Sequence, residues 1–118
     1  MKHIRKQLRD MLNSDEIIVA PGVYSALPAI IAQNTGFKAV YMSGYTTAAF
    51  LYGLPDLGLI TLSEMAHNVS RICDAVDVPV IADCDNGYGN ALNVIRSVKE
   101  YEKAGAAAIQ LEDQVFPK

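Results

Sequence analysis

The chain has 118 residues, a net charge of −3 and 51% hydrophobic side chains. That apolar content excludes a disordered segment, and the slight acidity argues against a nucleic-acid groove, which carries a basic patch. No apolar run approaches the roughly 20 residues needed to cross a bilayer, and Cys73 and Cys84 show neither zinc-ligand spacing nor a disulfide framework.

Residues 3 to 13 place Ile4, Leu8, Met11 and Leu12 at helical spacing, predicting an amphipathic opening helix. Lys2, Arg5, Lys6 and Arg9 are expected on its solvated face. Charges recurring through Asp10 exclude a signal-peptide core, so a cytoplasmic location is expected. "EIIVAPGV" reads as a short buried strand stopped by Pro21-Gly22. "SALPAIIAQNTG" reads as a helix with Pro28 in its first turn and Gly36 near its end. "KAVYMSG" predicts a second strand ending at Ser43-Gly44, followed by a loop that holds "GLPDLG".

Thr61 with Glu64 three residues later has capping-box spacing, and Leu62, Met65, Val69, Ile72 and Val76 form one apolar stripe behind it. "VPVIADCD" predicts the third strand. "NALNVIRSVKEYEKAG" predicts a helix between an Asn90 N-cap and a Gly105 C-cap, and "AAAIQLED" a fourth strand. Alternating strands and helices argue for an α/β fold with a parallel sheet in a single domain.

Polar or glycine-rich residues collect where the strands end: Pro21-Gly22, Ser43-Gly44, Asp83-Cys84-Asp85 and Glu112-Asp113. In parallel α/β folds these ends open on one side, where sites form. Asp83 and Asp85 are two apart, so a strand would point both the same way. Glu112 ends the next strand, and Asp56 lies in the loop after the second. Carboxylates meeting without a cation repel one another. A divalent metal resolves the conflict, and an all-oxygen donor set suits Mg²⁺ or Mn²⁺. The alternative is that Asp85 and Glu112 cap helices or pair with Arg and Lys from elsewhere.

Other motif readings fail on detail. An EF-hand needs its glycine one residue later than Gly87 and a Glu where Val94 stands. A dinucleotide fingerprint needs a small residue where "GYGNAL" has Leu92. Gly87 and Gly89 read as turn residues that let backbone approach a ligand. Ser43-Gly44 offers a hydroxyl and amides for a carboxylate or phosphate. Tyr45 is a candidate pocket residue and Tyr41 a packing one. Cys84, out of phase with the acids, reads as core, and His3 and His67 as helix surface.

"PGVYSALPAIIAQNTGFKAVYMSG", "GLPDLG", "DCDNGYGN" and "LEDQVFPK", in that order, resemble the isocitrate lyase and phosphoenolpyruvate mutase superfamily. The likeness is to its methylisocitrate lyase-like, dimethylmalate lyase-like and carboxyphosphonoenolpyruvate mutase-like branches, and covers essentially the whole chain. It implies the first half, about four βα units, of a TIM-type (β/α)8 barrel with an N-terminal helix. It implies Ser43, Gly44 and Tyr45 at the substrate carboxylate, and Asp83, Asp85, Asp56 and Glu112 around Mg²⁺ or Mn²⁺. Methylisocitrate lyases usually read Ser-Gly-Gly where this chain has Ser43-Gly44-Tyr45. In the lyases a gating loop after "EDQ" carries the acid–base cysteine, which here would lie beyond Lys118.

The expected function is therefore that of a Mg²⁺-dependent carbon–carbon lyase on a small 2-hydroxy di- or tricarboxylate, homo-oligomeric (a tetramer by resemblance) in its full-length form. A phosphonomutase or an oxaloacetate decarboxylase is the alternative enzyme. A non-catalytic half-barrel that needs a partner chain, or the rest of a longer chain, is the alternative of another class; the 118 residues alone are expected to be inactive.

Overall fold

The computed structural model describes residues 2–118, the side chain of Lys2 excepted. Helix α1 (Lys2–Leu12) opens the chain, followed by β1 (Gly22–Val23), α2 (Ala26–Thr35) and β2 (Val40–Met42). A short helix α3 (Gly44–Thr47) then runs into a π-helical turn (Ala48–Tyr52). Helix α4 (Leu62–Ala75), β3 (Val80–Asp83), α5 (Ala91–Ala104) and β4 (Ala108–Gln110) complete the order. The four strands are all parallel and lie side by side in chain order. None of the described helices is long and apolar enough to cross a membrane.

The caps form where their residue types demand. Glu64 N–H donates to Thr61 Oγ1 (3.3 Å) while Thr61 N–H donates to Glu64 Oε2 (2.8 Å). Asn90 and Asn93 make the same reciprocal pair at the head of α5. Gly36 and Gly105 end α2 and α5 in the left-handed conformation, which a side chain would disfavour.

Three expectations need correction. The stretch 16–23 is not a strand throughout: only Gly22–Val23 pairs, and Ile17 is 89% exposed. A strand needs a neighbour, and β2 reaches β1 only at Gly22 and Val23, so the preceding apolar run finds no ladder. Pro21-Gly22 therefore starts the strand instead of stopping it. Residues 44–52 are helical, not loop, because Ser43 caps a turn there. Arg5 does not sit free on the solvated face: it donates to the carbonyls of Glu102 (2.6 Å) and Ala106 (3.3 Å), binding α1 to the C-terminus of α5.

Burial alternates along the strands. Val40, Met42, Val80 and Ala82 pack under the helices with Ala29, Met65, Val69 and Ile72, whereas Tyr41 and Ile81, paired in register, are only half-buried. The strand ends and the acids lie toward that second, less covered face.

Candidate metal centre

Strand β3 delivers Asp83 at its last position, and the side chain is only 9% exposed. Both carboxylate oxygens accept backbone amides. Oδ2 takes Gly44 N–H at 2.9 Å and Oδ1 takes Asp85 N–H at 2.9 Å. Gly44 has to be glycine for this approach: a Cβ there would stand 2.6 Å from Oδ2. Asp83 thus locks the end of β2 to the end of β3.

Asp85 lies on the same side as Asp83, but not by strand alternation. The strand stops at Asp83, and Asp85 turns into the left-handed region at φ 50°. That turn is clipped from β4: Cys84 N–H donates to the Gln110 carbonyl (2.9 Å), and Glu112 N–H to the Asp85 carbonyl (2.8 Å). The second bond fixes Glu112 beside Asp85. Gly87, at φ 90°, is required as well, since a Cβ would collide with Val94.

Asp83, Asp85 and Glu112 each offer a carboxylate oxygen within 4.8 Å of the others. Asp56 reaches them through one cation. Lys118 Nζ is 2.9 Å from Asp56 Oδ1, 2.9 Å from Asp85 Oδ1 and 3.9 Å from Glu112 Oε1. The pairing of Asp85 and Glu112 with a lysine, the alternative to a metal, is therefore present in this structure. Burial pulls the Lys118 ammonium down, but the contacts and charges of Asp56 and Asp85 more than reverse it, leaving it well above an ordinary lysine.

One ammonium against four carboxylates leaves the cluster electronegative. Asp85 Oδ1 is buried, and its one close partner is the Lys118 ammonium. The gap bordered by Gly44, Asp56, Met65, Asp83, Asp85 and Tyr88 measures about 10 Å³, the space of one water or a bare ion. Hard oxygen donors, more carboxylates than cations and a gap of that size all fit a small divalent cation.

The sequence reading missed Tyr41. Register places it one pleat below Ser43 and on the face of Asp83. Its hydroxyl is pushed up to about 12, first by burial and then by the charges of Asp83 and Glu112. Tyr41 belongs to the acid cluster, not merely to packing. Alternation from Asp83 across the β2–β3 pair would have revealed it.

The proposed carboxylate cradle is divided. Gly44 commits its amide to Asp83. Ser43 Oγ accepts Thr46 N–H at 3.3 Å as the cap of α3, keeping its own proton available to donate. Tyr45 is 60% exposed. Cys84 is fully buried, its thiol raised to about 11 by burial and then by Asp83 and Asp85, as a core cysteine should be. His67 lies exposed on α4, and His3 exposed on α1.

The sequence model of the phosphoenolpyruvate phosphomutase family matches residues 8–118. The chain belongs to the isocitrate lyase/phosphoenolpyruvate mutase superfamily. Within that superfamily it is 52% identical to an isocitrate lyase of Haloferax volcanii, over 96% of this chain and 33% of the relative. It is also 52% identical to 2,3-dimethylmalate lyase of Eubacterium barkeri, over 95% of this chain and 39% of the relative. A crystal structure of phosphonopyruvate hydrolase in complex with oxalate and Mg²⁺ superposes with a TM-score of 0.92 at 38% identity, covering 97% of this chain and 40% of that one. The four parallel strands, with helices after the first three, are accordingly half of a superfamily TIM-type barrel; the helix of a fourth βα unit is not among the described residues. The chain spans between a third and two-fifths of the length of these relatives.

Proposed function

We propose that these residues form the metal- and carboxylate-binding part of a Mg²⁺-dependent carbon–carbon lyase. Its substrate would be a small 2-hydroxy di- or tricarboxylate of the methylisocitrate or dimethylmalate kind, cleaved by retro-aldol-type chemistry. The observation that carries the reading is the meeting of Asp83, Asp85 and Glu112 at the strand ends, with Asp56 beside them and a single ammonium among the four carboxylates. Similarity to two carboxylate lyases, and to a hydrolase seen with oxalate and Mg²⁺, supports it.

Asp85 and Glu112 are the residues to hold the ion, with Asp56 at its edge and Asp83 orienting Asp85 through the amide bond. When bound, Mg²⁺ supplies a Lewis acid that stabilises negative charge on a substrate oxygen. Ser43 would donate its free proton to a substrate carboxylate, with Gly44 and Tyr45 beside it. The acid–base group is expected outside these residues, so the 118 residues alone should turn over none of the candidates. The match to the phosphomutase family favours one second reading, a phosphonomutase using the same centre.

The test is a Mn²⁺ titration followed by the electron paramagnetic resonance of the free ion. Asp85→Asn in the full-length protein should weaken binding at least tenfold, and Asp74→Asn, on the exposed side of α4, should not. Equal effects would remove the site assignment. Metal-dependent turnover of methylisocitrate, dimethylmalate, oxaloacetate and phosphonopyruvate then separates lyase, decarboxylase and mutase.

A further inference from the structure

Helix α5 buries two hydroxyl-bearing side chains, Ser97 and Tyr101, both completely. A hydroxyl removed from water is costly unless it is hydrogen-bonded. Both of these are committed to the turn between β3 and α5. Ser97 Oγ donates to the Gly87 carbonyl at 2.8 Å, and Tyr101 Oη donates to the Asp83 carbonyl at 2.8 Å.

Tyr101 also touches Tyr88, hydroxyl to hydroxyl, at 3.0 Å. A carbonyl only accepts, so the single Tyr101 proton lies toward Asp83. Tyr88 must then donate to Tyr101. The result is a directed relay from Tyr88 through Tyr101 to the backbone of Asp83.

The turn it reaches needs holding. Asp85 at φ 50° and Tyr88 at φ 63° are both non-glycine residues in the left-handed region, with Gly87 at φ 90° between them. Such residues persist only where the surroundings over-determine them. On the β4 side the Glu112–Asp85 bond does this. On the helix side, the relay and Ser97 do.

We propose that Tyr101 is a positioning residue for the metal centre: from α5 it fixes the Asp83 carbonyl and, through Tyr88, the left-handed turn that aims the Asp85 carboxylate at Glu112. Its effect on ion binding rests on the metal reading above; its effect on the turn does not.

Tyr101→Phe keeps the ring that fills the core and removes only the hydroxyl. In the full-length protein, amide hydrogen exchange across residues 84–89 should speed up several-fold while that of α2 stays unchanged. The Mn²⁺ dissociation constant should rise about 3- to 10-fold, the scale of one lost hydrogen bond. Ile72→Val, equally buried on α4, should move neither reading. Tyr88→Phe spares the Tyr101–Asp83 bond and should give a smaller change of the same kind; it also supplies the test if Tyr101→Phe does not fold. Exchange across 84–89 no faster than in Ile72→Val would overturn the proposal. Failure of the unsubstituted protein to bind Mn²⁺ would remove the metal reading, and with it the claim on ion binding, while turn exchange still decides whether Tyr101 holds Asp85 in place.

Discussion

Gly44 shows how much one missing methyl can matter. Its amide holds Asp83, and any Cβ would press on the carboxylate it binds. Asp83 cannot simply swing away, since its other oxygen holds Asp85. Gly44→Ala should therefore cost about 1–3 kcal/mol of stability, the usual range for overpacking, and weaken Mn²⁺ binding as well; chemical denaturation and the ion titration check the two effects. Tyr41 gives a pH prediction. Its phenol holds its proton more tightly folded than unfolded, with ionisation moved from 10 to about 12. The associated stability is complete below pH 10 and is lost as pH rises toward 12. Melting temperature measured across this alkaline range should fall, and Tyr41→Phe should lessen the fall, the rest coming from the buried Cys73 and Cys84 thiols, raised to about 11, and from Tyr101.

At the scale of elements, the capping box of α4 is a local device with a local consequence. Thr61→Ala removes the acceptor for Glu64 N–H and should cost about 1 kcal/mol, with no change in Mn²⁺ affinity. The Thr61 amide and then its hydroxyl hold the Glu64 carboxyl below its ordinary value. That contribution is present at neutral pH and disappears as acid protonates Glu64. The variant keeps the Thr61 amide and loses only the hydroxyl contact, so the stability gap should narrow slightly at low pH while the cost of the lost cap bond persists. Such features were legible in the sequence because they need only residues a few positions apart: Thr61 with Glu64, Asn90 at N-cap, Gly36 and Gly105 at C-caps. The ends of β2, β3 and β4 were legible to within a few residues too, and with them the acids, whereas Pro21-Gly22 proved to begin β1. What escaped depends on partners remote in sequence. Ile17 and Val19 have strand chemistry but no strand beside them. Tyr41 joins the acids only through the β2–β3 register. Asp85 reaches its side through a left-handed turn secured by Glu112, where alternation predicts an extended residue.

The whole molecule is an open arc. Among the described residues, strands β1 and β4 each have one unpaired edge, and α2 and α5 leave Leu27, Ile31, Leu92 and Ile95 more than half exposed. Unpaired edges and apolar patches favour association. The isolated 118 residues should therefore scatter light as a species heavier than 12.8 kDa, and Leu92→Glu with Ile95→Glu should reduce that mass. Across this arc, the Lys118 ammonium gathers loops that follow three different strands. On the proposed metal reading, filling the centre would be an exchange reaction: a tethered monovalent cation must leave Asp85 before a divalent one takes its contacts. The tether gives the lysine a high effective concentration, so it competes at every bulk ion level. Lys118→Met should tighten Mn²⁺ binding while loosening the loops in its absence, and the apparent affinity of the unsubstituted protein would then measure the difference between two cations, not the attraction of one.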